Sequence, residues 1–254
     1  MRAYVISLLL FALAVSALAA GPEADRARER ALDHYKAGQR ALFSEEFEKA
    51  EAEFKEAIRL DAVLVPAHYG LGQTYMAMKE YPKAVAAYSG CRDAFHQEQA
   101  DALMGVIEWE KRLSDQIRAM EDQVRILQSG RVQGGTGGAQ TAQLTAQRLE
   151  EQINLLKGRR QTGPKQAEPT PASISVALGS AHFRTGALAD AEREYRAALD
   201  VDSELGEAHN NLAVVYMLMG RLEHAQKEID LAEKAGFKVS PGLRQDVKKR
   251  MELR

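Results

Sequence analysis

Six histidines, His34, His68, His96, His182, His209 and His224, are the side chains of this 254-residue chain best suited to hold a metal or relay a proton. None stands in an H-E-x-x-H arrangement or beside a cysteine, so the spacing that brings two such ligands onto one zinc ion is missing. His34, His68 and His209 fall at equivalent places of a repeat, which fits a packing role. The glycine-rich stretch 130–138 offers backbone amides to a phosphate, yet it has no following Lys-Ser/Thr and no preceding strand, so it reads as a turn. Carboxylates such as Glu45-Glu46 and Glu150-Glu151 sit beside Lys and Arg on helix surfaces and read as solvated faces, not as the opposed acids of glycoside hydrolysis. No nucleophile elbow occurs either. An enzyme, a metal and a cofactor are therefore not expected. The single cysteine, Cys91, cannot close an intramolecular disulfide and reads as a small core filler.

Composition sets the class. With 34 Lys+Arg, 36 Asp+Glu and 45% hydrophobic residues the chain is ordinary globular protein, and a net charge of −2 gives no footprint for nucleic acid. The first residues read as an address. After Met1-Arg2, the stretch Tyr4 to Leu18 carries no charge, and Ala17-Leu18-Ala19 supplies the small-x-small pattern that signal peptidase reads. A signal peptide over 1–19 is expected, followed by export to a bacterial periplasm or beyond. The 16 apolar residues from Val5 to Ala20 fall short of the roughly 20 that span a bilayer, which leaves an uncleaved anchor as the alternative. No cysteine stands near position 20 to take a lipid thioether, so no stable membrane anchor is expected after cleavage.

A 34-residue period organises the rest. Gly38 and Gly72, Ala50 and Ala84, Phe54 and Tyr88, and Ala57 and Cys91 are each 34 apart. Toward the C-terminus Gly179 matches Ala213, Gly186 matches Gly220, Ala191 matches Ala225, Tyr195 matches Ile229 and Ala198 matches Ala232. Leu71-Gly72 with Tyr75, then Ala84 and Tyr88, resembles the tetratricopeptide repeat (TPR), as does Leu178-Gly179 followed by Ala191 and Tyr195. The units 31–64 and 206–239 keep most of the pattern. The resemblance implies an all-α solenoid of about four helix-turn-helix units, in which small residues let helices approach and aromatic residues fill the gap. Residues 20–96 hold units 1 and 2 and residues 172–239 hold units 3 and 4. Ser240-Pro241 then starts a capping helix over 240–254, apolar through Leu243, Val247 and Met251.

The register breaks between the pairs. Leu113, Ile117, Met120, Val124 and Leu127, then Ala142, Ala146, Leu149, Ile153 and Leu156, alternate at spacings of four and three. Residues 97–158 therefore read as an antiparallel coiled-coil hairpin turning at the glycine-rich stretch, inserted between units 2 and 3. Leu103, Val106, Ile107 and Trp109 precede the paired part and are assigned to covering the open end of unit 2. A Pro/Gly linker occupies 159–171. One superhelix of four units is preferred over two separate pairs, because two units bury too little surface alone.

In TPR proteins the first helices of successive units line a concave groove that takes peptides or helices. Carrying that resemblance across gives Tyr35 and Gln39, then Tyr69, Gln73 and Met76, then Val176, Ser180 and Phe183, and last Asn210, Asn211, Val214 and Met217. Amides can bond a peptide backbone, and Tyr, Phe and Met accept apolar side chains. Gln39, Gly70 and Gln73 stand where TPR proteins that clamp chaperone tails want Asn, which disfavours that role. The expected function is an exported adaptor or scaffold binding a protein or peptide partner. The alternative is a structural homo-oligomer assembled through the hairpin.

Overall fold

A computed structural model describes residues 2–129, 136–159 and 168–253, with side chains from residue 23 onward except 136–139 and 159. The described residues form helices and turns without a strand. The helices are α1 (Arg2–Phe43), α2 (Phe47–Leu60), α3 (Val65–Ala77), α4 (Tyr81–Gln128), α5 (Thr136–Arg159), α6 (Ala172–Thr185), α7 (Leu188–Val201), α8 (Gly206–Leu218), α9 (Leu222–Lys234) and α10 (Pro241–Glu252). Among the described residues no helix is long and apolar enough to cross a membrane. The chain divides into two compact units, one of Met1–Gln97 with Pro169–Arg254 and one of Glu98–Glu168.

In the larger unit, small residues on first helices receive large ones from second helices. Phe54 is fully buried, and a Cβ built at Gly38 or Gly70 would lie 2.8 or 2.5 Å from its ring. The same construction at Gly72 meets Tyr88 at 2.5 Å, and at Gly179 meets Tyr195 at 2.8 Å. At the equivalent place in the fourth repeat Ala213 stands where the others have glycine, and Ile229 stands where they have a ring. Both are buried in one core with Leu212, Val215 and Tyr216. Volume is thus conserved across the pair.

Turns between paired helices follow the same register. Gly186 and Gly220 take left-handed φ of 81° and 73° at equivalent positions. The matching residues of the first two repeats, Glu45 and Lys79, adopt φ of 59° and 62° without glycine's freedom. A side chain there costs about 1 kcal/mol, so Lys79→Gly is expected to raise stability by roughly 0.5–1 kcal/mol in urea unfolding. An unchanged or lower midpoint would count against this strain.

Polar latches tie successive repeats. Tyr75 on α3 donates to Glu51 on α2 at 2.9 Å, and Lys55 donates to the same carboxylate oxygen at 2.6 Å. The 3–4 interface repeats the device with cations doubled: Glu192 on α7 accepts from Tyr216 at 3.3 Å and pairs with Arg196 at 2.8 Å and Arg221 at 3.0 Å. Glu192 and Glu194 are only 7% and 4% exposed, so these two carboxylates are interface groups and not the solvated faces that carboxylates read as in sequence. His34 and His209 bond Glu53 and Glu228, 19 residues on, at 2.7 and 2.6 Å, fastening first helix to second within repeats 1 and 4.

The Lys55 ammonium, bonded to Glu51, holds that carboxyl below its ordinary value. A lowered carboxyl adds stability that is complete above the unfolded value near 4.3 and is lost as pH falls through the folded one. The melting temperature should fall below about pH 4, and Glu51→Gln should flatten that acid limb. An identical limb in the variant would remove Glu51 from the acid response.

α6 joins the two pairs of repeats. Its Leu178 and Ala181 pack in the core of Phe54, Tyr75, Ala84 and Tyr88, while Val176 packs in the core of Tyr195, Leu212 and Ile229. Across the same junction Arg92 pairs with Glu194 at 3.1 Å and Arg184 donates to Tyr81 at 2.5 Å. The sequence assigns the cover of repeat 2 to Leu103, Val106, Ile107 and Trp109; the structure assigns it to α6, and Ile107 and Trp109 remain 47% and 45% exposed. The reason lies in side-chain size: α6 carries the small positions of a first helix at Gly179 and Ala181, whereas those four residues are all large.

Cys91 is fully buried, its Sγ 3.5 Å from the Val65 carbonyl oxygen, and burial pushes its thiol up to about 12. Iodoacetamide at pH 8 should leave the folded protein unmodified and alkylate it promptly in urea. Labelling at equal rates in both would place the thiol at the surface.

The smaller unit is a pair of helices. Leu113, Ile117 and Val124 of α4 pack with Ala146 and Ile153 of α5, flanked by Met120, Leu127, Leu149 and Leu156. Lys157 pairs with Glu121 at 2.8 Å and Gln128 donates to Glu150 at 2.8 Å, so the helices run antiparallel. α4 runs unbroken from the second helix of repeat 2 into this pair. Of the glycine-rich turn, 130–135 lies outside the described residues and 136–138 opens α5; of the linker, 160–167 lies outside them.

Candidate peptide-binding groove

Rows of side chains along the first helices build the site. Counting from Gly38, Gly72, Gly179 and Ala213, one row stands three residues before, Tyr35, Tyr69, Val176 and Asn210. A second stands one residue after, Gln39, Gln73, Ser180 and Val214; a third four after, Leu42, Met76, Phe183 and Met217. Residues i and i+4 share a helix face, so Tyr35 with Gln39 and Tyr69 with Gln73 point to one side. Gln39 donates to the Tyr35 hydroxyl at 2.5 Å.

These four residues surround a cavity of about 620 Å³ closed by Leu42, Phe43, Phe54, Val65, Pro66, Gly70 and Cys91 and, from the start of α6, by Pro171, Ser173 and Ile174. The lining holds no charged side chain. Tyr35 leans on Phe54 with centroids 6.1 Å apart, and Tyr69 meets Tyr88 edge to face at 5.5 Å, so the core fixes both groove tyrosines. Burial raises the Tyr69 hydroxyl, which stays neutral at any physiological pH. Phe43 stands at the rim, 92% exposed, an apolar ring with nothing over it among the described residues. A concave apolar well with a few neutral polar groups suits an apolar anchor side chain.

The remaining mapped residues are placed differently. Val176 and Met217 are buried in the C-terminal core, and Phe183 and Val214 pack against it. Ser180 shares a hydrogen bond with the Tyr195 hydroxyl at 3.1 Å, and Asn210 donates to Asn211 at 3.3 Å. Arg250 of the capping helix reaches the Met217 carbonyl at 3.4 Å. Met76 is half-buried beside the N-terminal core. The cavity is therefore walled by the first-helix rows of repeats 1 and 2 together with the start of α6. Sequence reasoning passed over Leu42, which the 34-residue register places in Met76's row, and Phe43, Pro171, Ser173 and Ile174, which no periodicity marks.

No curated protein sequence matches the chain. Among solved structures it is similar to a thermophilic TPR protein of Thermus thermophilus at 16% identity, covering 87% of this chain and 98% of that one with a TM-score of 0.33. It is similar to YrrB, a TPR protein described as having an unusual peptide-binding site, at 16% identity, covering 90% and 97% with a TM-score of 0.30. It is also similar to a chain of an APC/C hetero-tetramer at 17% identity, covering 89% of this chain but only 44% of that one, with a TM-score of 0.30. The tetratricopeptide repeat profile matches residues 35–98, and a second profile of the same description matches 170–236. Those two segments span just over half the sequence and coincide with the repeats seen in the structure, and the chain belongs to the tetratricopeptide repeat family.

Proposed function

We propose that this protein is an exported, periplasmic interaction adaptor that binds a peptide or helix of a partner protein in its concave groove. The observation that carries the reading is the uncharged cavity between α1, α3 and the start of α6, walled by Tyr35, Gln39, Tyr69 and Gln73 with Phe43 exposed at its rim. Export rests on the uncharged stretch Tyr4 to Leu18 and the Ala17-Leu18-Ala19 site. Affinity capture from an envelope extract, with the exported chain beside a Tyr69→Ala, Gln73→Ala variant of unchanged helicity, tests both parts. A partner retained by the first and lost by the second, and a mature N-terminus at Ala20 by mass spectrometry, are expected. Equal capture by both would end the groove reading, and retention of Met1 in the exported protein would end the cleaved leader.

A second reading has one observation of its own. Leu144 and Leu155, eleven residues apart on α5, face the same way and are 56% and 72% exposed, a surface that hairpins of two copies could share. A monomer mass independent of concentration in sedimentation removes that structural homo-oligomer.

A further inference from the structure

One more row lies along the groove. Leu32, Pro66, Ser173 and Glu207 stand six residues before the four small positions, and Pro66 and Ser173 both line the cavity. The next member, Glu207, is a carboxylate in the first turn of α8. It is exposed, and none of the described Lys, Arg or His side chains pairs with it. It follows Pro66 and Ser173 in the same row, so it stands on the same helix face one first helix beyond the cavity. The surface thus offers an uncharged apolar well and, one helix further on, the exposed carboxylate of Glu207. Neighbouring first helices are about 10 Å apart, the length of three residues of extended chain.

Resting on the groove reading above, we infer that the occupant is a basic-apolar protein segment, with an aromatic or branched aliphatic anchor in the cavity between Tyr35, Tyr69 and Ile174 and a Lys or Arg about three residues away facing Glu207. An acidic segment would meet Glu207 with like charge, and an uncharged one would leave it without a counterion. The pairing is at the surface, so it selects among apolar segments and does not replace the anchor.

Fluorescein-labelled nonapeptides with a central Phe, carrying Lys, Gln or Glu three residues to either side, test this on the full chain by fluorescence anisotropy. The Phe/Lys probe is expected to bind about fivefold tighter than Phe/Gln, with the margin shrinking as salt is raised. Glu207→Lys lies on an exposed position and should invert the order to favour Phe/Glu, while an Ala/Lys probe should bind the wild-type protein poorly. If all three Phe probes bind equally and Tyr69→Ala weakens them all, the groove stands and the basic preference is wrong. If Ala/Lys binds as well as Phe/Lys, the anchor is wrong. If no probe responds to Tyr69→Ala, the groove reading itself fails and this inference falls with it.

Discussion

Phe54→Ala is expected to lose about 4 kcal/mol of stability and to open the floor of the groove. The ring is fully buried, lies between Gly38 on α1 and Gly70 on α3, and also lines the cavity beneath Tyr35. Neither glycine has a side chain to move into the space, so the void cannot be refilled locally and the cavity cost adds to the transfer cost. Urea unfolding followed by circular dichroism at 222 nm measures the loss. A change below about 2 kcal/mol would mean that α1 and α3 collapse onto each other without the ring. Because Tyr35 rests on Phe54 at 6.1 Å, groove binding should weaken even at temperatures where the variant is still folded.

The second large effect is a coupling. A Cβ at Gly72 would sit 2.5 Å from the ring of Tyr88, closer than carbon atoms approach, so Gly72→Ala should cost about 2 kcal/mol despite alanine's better helix propensity. Tyr88→Ile alone leaves a void and should cost a similar amount, about 2 kcal/mol. Together they reproduce the Ala213 and Ile229 pair of the fourth repeat, where both residues are buried in a filled core. The double variant is expected to lie within about 1 kcal/mol of wild type, a coupling of roughly 3 kcal/mol. Additive losses would show that the glycine and the ring do not share one space.

Much of this was legible because the repeat writes the same contact several times. Gly38, Gly72 and Gly179 with Phe54, Tyr88 and Tyr195 mark the helix approaches by spacing alone, and the left-handed turn at Gly186 and Gly220 is visible as two glycines 34 apart. Glu192 and Glu194 were not legible, since charge on an amphipathic helix reads as solvent-facing until Tyr216, Arg221 and Arg92 are brought over it from other helices. Which half of the groove stays open was equally hidden. Tyr35 and Tyr69 flank an open space while Val176 at the same place is core, because that depends on what α6 and α8 pack against, not on residue type. Pro171, Ser173 and Ile174 reach the cavity across an insertion that breaks the register, so no local pattern could mark them.

The central claim is that the N-terminal half of the concave face holds a partner. Photo-crosslinking in the native host tests it most directly, with a benzophenone amino acid placed at Tyr69, at Gln73, or at exposed Arg193 on the second helix of repeat 3. Crosslinks to a second protein from positions 69 and 73, and none from 193, are predicted. Crosslinks to that protein from 193 alone, or from 69 and 73 only to further copies of this chain, would contradict it.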